Sequence, residues 1–330
     1  MTASAPARPV VIQTMWRTGG TYLAFALREQ NPAALFYEPL HEDYSRRTKA
    51  DWDGFAAAGA GASRGHPAKS FHYLTDFPFV AGGGVRGHRD EFAFRRFLLA
   101  RGDAAPELAA YLSGLVESAA GRRPLFKFCR GFLRQPWLEA RLGPVTVYLA
   151  RHPAGMMTSY ARIGGGDYFY SAYLRILKEN RGEPILAPIY DAIARLHPDY
   201  GQADAAAAGD RLAGTVAPQA RRDLFLLFWA LALACHAAPH ILTLDANALG
   251  ADAGSRAESE EALRSRTGLA VDLADAAPLD PGEAAALNFH RPDAFGPWLR
   301  QAVAARAPGF DASRAPPPLR RQLEALLAAV

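Results

Sequence analysis

Only two cysteines occur in the 330 residues. A disulfide-stapled secreted scaffold needs more, and so does a cysteine-built zinc or iron–sulfur site. No His/Asp/Cys cluster with metal-ligand spacing takes their place, so no metal is expected. Charge of one sign is scarce as well: 37 Lys and Arg stand against 33 Asp and Glu, a net +4. That excess calls for no nucleic-acid partner, because one site for an anionic small molecule accounts for it. Long apolar runs are also missing. The longest, residues 224–235, falls short of the roughly 20 residues that cross a bilayer and reads as a buried core helix. The start, MTASAPARPVVIQT, lacks a basic stretch followed by a long apolar one. Neither a secretory signal nor a membrane span is therefore expected, and the reading is a cytoplasmic protein.

What is present is apolar residue in quantity, 50% of the chain, which is enough for a sizeable core and too much for a disordered tail. Four short continuous apolar runs, at 9–14, 125–129, 145–149 and 240–245, read as parallel strands covered on both faces. A weaker fifth lies at 35–37. Helical stretches follow, at 22–27 after the first run and after Pro153 behind the third. This alternation predicts an α/β fold, a three-layer parallel sheet with flanking helices. Two stretches break the rhythm. Residues 41–120 are rich in Gly, Arg, His and aromatics, with a helical piece near 107–116, and residues 163–220 carry Gly164-Gly165-Gly166 and several tyrosines. Such insertions in an α/β fold are usually lids and binding loops, so one elaborated domain spanning 1–330 is expected. The Ala205–Ala208 tract is expected to be a solvent-facing turn without chemistry.

After the first strand comes Met15-Trp16-Arg17-Thr18-Gly19-Gly20-Thr21. Glycines let a backbone turn tightly against an anion, and the first N–H groups of the next helix point at it. Arg17 adds a fixed charge and a fork of donors. Thr18 and Thr21 add hydroxyls, either of which also serves as a helix cap. Taken alone, the segment is equally an ordinary Gly-containing βα turn. It is not a Walker A loop, which requires Gly-x4-Gly-Lys-Ser/Thr.

Arg17-Thr18-Gly19-Gly20-Thr21-Tyr22-Leu23 resembles the 5′-phosphosulfate loop of sulfotransferases that use 3′-phosphoadenosine 5′-phosphosulfate (PAPS). Trp16 stands where the family often has Pro, and Gly20 where it has a hydroxyl residue. Tyr148-Leu149-Ala150-Arg151-His152-Pro153, with Ser159 eight residues after Arg151, resembles the family's 3′-phosphate element. An Arg at a strand end and a Ser about two turns into the next helix can both reach one phosphate. Read by themselves, Arg151 equally pairs with a carboxylate and Ser159 equally sits on a helix surface. Phe36-Tyr37-Glu38-Pro39-Leu40-His41 and Lys127-Phe128-Cys129-Arg130 look like elements of the carbohydrate-type branch. Ile241–Asp245 with Ala248-Leu249 loosely resembles its late strand and acidic turn, and Arg291 with Gly296-Pro297-Trp298 its last cofactor loop.

The resemblance implies a P-loop-NTPase-like sulfotransferase fold, with PAPS as cofactor and a sugar, small-molecule or lipid hydroxyl, or an amine, as acceptor. It implies that Arg17, Thr18, Gly19, Gly20, Thr21 and Tyr22 cradle the 5′-phosphosulfate. Arg151 and Ser159 would hold the 3′-phosphate, and Arg291 would complete the nucleotide site. Glu38 becomes the general base, provided burial raises its pKa, while Arg17 and Lys127 stabilise the leaving oxygen. Arg130 shares the status of Lys127, a strand-end cation that otherwise snorkels to solvent. Cytosolic-type relatives use a His two residues after that Lys, where this chain has Cys129. His41 and His88 are outside candidates for the base, and Asp167, Tyr168, Tyr170 and Tyr173 for the acceptor wall. The competing readings are a P-loop-type nucleotide kinase or NTPase and a non-catalytic nucleotide-binding relative.

Overall fold

The computed structural model describes residues 8–57, 74–163, 166–204, 210–279 and 287–328. The Ala205–Ala208 tract, Gly164 and Gly165 lie outside them. The chain opens with β1 (Val10–Thr14), α1 (Gly20–Gln30) and β2 (Ala33–Tyr37), then α2 (Lys49–Ala57) and α3 (Pro106–Ser118). Next come β3 (Arg123–Phe128), α4 (Gln135–Leu142), β4 (Val145–Ala150) and α5 (Pro153–Ala161). Helices α6 (Asp167–Glu179), α7 (Ala187–Leu196), α8 (Pro198–Gln202), α9 (Asp210–Gly214) and α10 (Pro218–His236) follow. The chain closes with β5 (Leu242–Asp245), α11 (Ala246–Leu249), α12 (Ala253–Thr267), α13 (Pro292–Arg306) and α14 (Pro317–Ala328).

The five strands form one parallel sheet in the order β2-β3-β1-β4-β5. All four apolar runs are strands, and the weak fifth is the edge strand β2. The last strand starts at Leu242, two residues later than its apolar run. Continuous runs arise because both faces are covered. Val10, Ile12, Leu35, Leu125, Val147 and Leu149 pack with Leu23, Leu27 and Leu263 on one side. Val11, Phe36, Phe126 and Phe128 meet Leu112, Leu115 and Trp137 on the other. This is helix on sheet on helix, the layering expected when strands carry no polar face.

The apolar run at 224–235 lies inside α10, whose buried face includes Leu224, Phe228 and Trp229. His236 of α10 stacks on Tyr148 of β4 with ring centroids 4.0 Å apart. Among the described residues no helix is long and apolar enough to cross a membrane.

Strand order determines where a ligand finds a crevice. From β1 the chain leaves toward the β2 edge, and from β4 toward the β5 edge. These are neighbouring strands with diverging connections, so a cleft opens between the loops at their carboxyl ends. Those loops carry Arg17 and Arg151.

Candidate active site

The β1–α1 turn is built by two backbone constraints. Gly19 has φ +86° and Arg17 has φ 64°, a left-handed conformation that costs a non-glycine residue energy and persists only where its surroundings enforce it. Helix α1 then starts with no side-chain cap and no acidic residue in its first turn. Its first N–H groups lack intrahelical partners, and the helix dipole adds to their partial positive charge. The Thr18 hydroxyl is spent inside the turn, donating to the Met15 carbonyl at 3.1 Å. Thr21 instead shares a 2.8 Å hydrogen bond with the Tyr37 hydroxyl.

Gly20 is explained by what lies beneath it. A Cβ there would sit 2.4 Å from Thr14 Cγ2 and 3.0 Å from Lys127 Cε. The absent side chain leaves space for a threonine methyl and for the lysine stem, which thereby runs against the start of α1.

At the switch-point cleft the two motif halves meet. Arg17 Nε donates to Ser159 Oγ at 3.0 Å, and Arg151 Nη1 donates to the Arg17 carbonyl at 3.1 Å. The Arg151 carbonyl in turn accepts from Trp229 Nε1 of α10 at 2.9 Å. Arg151 is buried, 4% exposed. Nearby, the Asp245 carboxyl sits above its ordinary range because burial outweighs the Asn247 N–H and Arg151. His152 caps α5 by accepting from the Ala154 N–H.

Beside the turn, at the ends of β2 and β3, lies a buried charge cluster. Strand register places Tyr37 opposite Lys127. Glu38 follows with φ 49°, which turns its carboxylate back onto β3. There it accepts from Lys127 Nζ and from the Cys129 N–H at 2.8 Å, with Arg130 Nη1 3.7 Å away. Lys127 also donates to Cys129 Sγ at 2.8 Å and lies 4.9 Å from the centre of the Tyr37 ring. Arg130 is 2% exposed. Its Nη2 reaches Glu42 at 2.6 Å and the Tyr168 hydroxyl at 2.9 Å. Its guanidinium faces the rings of Trp16 and Phe94.

Electrostatics follow from this pairing. Burial works against ionisation of Glu38, yet Lys127, Arg130 and the Cys129 N–H outweigh it and hold the carboxyl below its usual range. This is the reverse of the upward shift that the sequence reading asks of a base. Burial likewise opposes the Lys127 ammonium, but Cys129 Sγ, as a hydrogen-bond acceptor, and the Glu38 carboxylate hold it above the ordinary lysine range. Glu42 sits at about 2: burial opposes its charge, and Arg130 above all favours it. Burial, with the neighbouring Glu38 carboxylate, pushes the Cys129 thiol up to about 12, so it stays protonated.

The remaining candidates sort by position. His41 Nδ1 accepts from the Asp43 N–H at 3.2 Å. The neutral ring therefore carries its proton on Nε2 and presents a donor rather than a base. His88 is buried among Tyr44, Phe92 and Tyr111, and burial lowers its pKa to about 3. Tyr173 is core, bonded to the Tyr160 hydroxyl at 2.9 Å, and Tyr170 packs under Arg221. Asp167 pairs with Arg221 at 2.6 Å. Only Tyr168, 41% exposed, lines the edge of the charge cluster. Arg291 is not brought to the β1 turn by its contacts. Its side chain reaches Asp293, its N–H donates to Asp223, and Gly296-Pro297-Trp298 lies inside α13. Tyr22 packs at the margin of the cluster formed by α1, α12 and the sheet.

Sequence reading missed Glu42 and Thr14. Both act through pairings distant along the chain, and neither belongs to a motif. Comparison with known proteins returns no match: no family model, no curated protein and no solved structure.

Proposed function

We propose that this chain is a sulfotransferase that moves a sulfonate group from PAPS to a hydroxyl or amine of a sugar, small-molecule or lipid acceptor. The observation that carries the reading is the convergence at one strand-end cleft of Arg17, Ser159 and Arg151 with the uncapped start of α1. These residues fit a nucleotide with phosphate at both the 3′ and 5′ positions. Helix N–H groups and Arg17 suit the 5′ end, and Arg151 with Ser159 suits the 3′ end. The five-stranded parallel order is compatible with a P-loop-like sulfotransferase fold.

PAPS supplies the sulfonate: the acceptor oxygen or nitrogen bonds to sulfur as the bond from sulfur to the 5′-phosphate oxygen breaks, and that oxygen keeps the electron pair. Arg17 and the α1 amides stabilise the charge gathered there. Lys127, whose stem already lies beneath Gly20, turns its ammonium from Glu38 toward the same charge. Glu38 then loses its closest counter-charge, its proton affinity rises, and it takes the acceptor proton. The left-handed Arg17 and Glu38 sit on either side of this exchange, as expected where strain serves a site.

Thermal-shift titration tests the nucleotide assignment. Adenosine 3′,5′-bisphosphate stabilises the protein and ATP–Mg²⁺ does not; equal or stronger stabilisation by ATP–Mg²⁺ overturns the reading in favour of a kinase. Transfer of labelled sulfate to sugars, phenols, lipids and amines tests the chemistry. Glu38→Ala abolishes transfer and keeps nucleotide binding, whereas Arg151→Ala weakens binding by about 10- to 100-fold. Turnover that survives Glu38→Ala removes Glu38 from the base role.

A further inference from the structure

Arg130 is buried between two carboxylates, Glu42 at 2.6 Å and Glu38 at 3.7 Å. Both acids lie on the segment that leaves β2, and the arginine on the segment that leaves β3. If Arg130 answered Glu38 alone, Glu38 would face two cations, and release of Lys127 would still leave it pinned as a carboxylate. The nearer contact goes to Glu42, whose carboxyl is itself held below its usual range by Arg130.

We propose that Glu42 is a positioning residue that neutralises Arg130, so that Lys127 is the one counter-charge whose movement sets the proton affinity of Glu38. The proposal rests on the sulfotransferase reading for its purpose, but not for its geometry. The other groups facing Glu38 fit it. From the β3 end come Cys129, a neutral thiol, and its N–H; from the β2 end come the phenols Tyr37 and Tyr44. His41 lies on the Glu42 side, its charge disfavoured by burial. Helix α6 contributes the Tyr168 hydroxyl, held on Arg130 rather than on Glu38, and Arg175, which acts on Glu42. His88, a further ionisable neighbour among the described residues, has its charge disfavoured by burial. Lys127 and Arg130 are thus the cations that count, and Arg130 is already taken.

The experiment compares ligand-free Lys127→Gln with Lys127→Gln/Glu42→Gln. It follows the Glu38 carboxyl carbon by NMR across pH, with the resonance assigned by its loss in Glu38→Gln. With Lys127 removed and Glu42 present, Glu38 titrates at or above the ordinary carboxylate range. With Glu42 also removed, Arg130 turns wholly to Glu38, and its pKa falls by about one unit or more. Glu42→Asp in the same background restores most of the difference, which a merely structural role would not do. Identical titrations with and without Glu42 overturn the proposal. Lys127→Met repeats the comparison should Lys127→Gln not fold. A separate arm adds adenosine 3′,5′-bisphosphate to the otherwise native protein and to Glu42→Gln. Glu38 titrates upward in the first and not in the second. Failure of the nucleotide to bind at all overturns the functional reading and leaves the ligand-free comparison to decide the role of Glu42.

Discussion

Two clusters of charge sit side by side at the carboxyl edge of the sheet, and they are built differently. Between β1 and β4, Arg17 donates to a serine hydroxyl, and Arg151 donates to the Arg17 carbonyl near the Asp245 carboxyl. Between β2 and β3, Lys127 and Arg130 are held by Glu38 and Glu42. The first arrangement holds the Arg17 guanidinium on a neutral hydroxyl at the cleft. The second spends its charge internally, and its groups become chemically active only when one member is drawn away. Position alone does not distinguish a binding cation from a tuning one; the identity of its partner does.

Removing one cation from each cluster gives the largest contrast. Arg130→Leu leaves Glu42, and in part Glu38, buried without a counter-charge, and costs about 3–5 kcal/mol of folding stability. Arg17→Ala removes a neutral hydrogen bond and costs about 1 kcal/mol. Urea unfolding of the two variants measures both values, and equal costs would erase the distinction.

Acid provides the second contrast. The Glu42 carboxyl lies at about 2 in the fold, against 4.5 for an unperturbed glutamate. A lowered carboxyl stabilises the fold fully above its unfolded pKa and loses that contribution as pH falls through the folded value. Stability therefore declines from about pH 4.5 toward pH 2, by about 3 kcal/mol for Glu42, with Glu38 acting in the same direction. In Glu42→Gln the unfolding free energy is lower at pH 6 and converges on the native value as pH approaches 2. Parallel curves would show that the Arg130–Glu42 pair carries no net coupling. On the β1–β4 side the Asp245 carboxyl, held above its ordinary range by burial, acts in the opposite direction.

What the sequence made legible divides along the same line. The sheet was readable because its strands are covered on both faces and so appear as largely apolar runs without alternation, even the edge strand at Leu35-Phe36-Tyr37. The Arg17 turn and the Arg151–Ser159 spacing were readable because each is local. Neither could reveal that Arg17 would touch Ser159, a contact made only by the β1–β4 pairing. The second cluster was less legible. Glu38 and Lys127 were each visible at a strand end, but their ion pair exists because β2 lies beside β3 with Tyr37 opposite Lys127. That register reverses the expected direction of the Glu38 pKa. Glu42 carries no local signal at all, since its partner comes from another strand. Arg291 was singled out by a loose local motif, and it stands at the start of α13, where the His290 and Arg291 N–H groups donate to Asp223.

Gly20 joins the two clusters and allows the finest test. By sequence it is a missing hydroxyl; by structure it is a required gap, since a Cβ would meet Thr14 Cγ2 and the Lys127 stem. Gly20→Ala overpacks a fully formed contact and costs about 1–3 kcal/mol. Thr14→Ser removes the obstructing methyl while keeping the hydroxyl that donates to the Phe128 carbonyl at 3.0 Å. The double variant therefore recovers part of the loss, with an interaction of at least about 0.5 kcal/mol in a double-mutant cycle. Recovery is incomplete, because Lys127 Cε still lies 3.0 Å from the new carbon. Full recovery would show that the lysine stem yields freely and does not tie the buried cluster to the anion-facing turn. Strict additivity would show that position 20 is not packed against Thr14. Partial recovery, with weakened binding of adenosine 3′,5′-bisphosphate, is the outcome expected if Lys127 reaches the turn through the space that glycine leaves open.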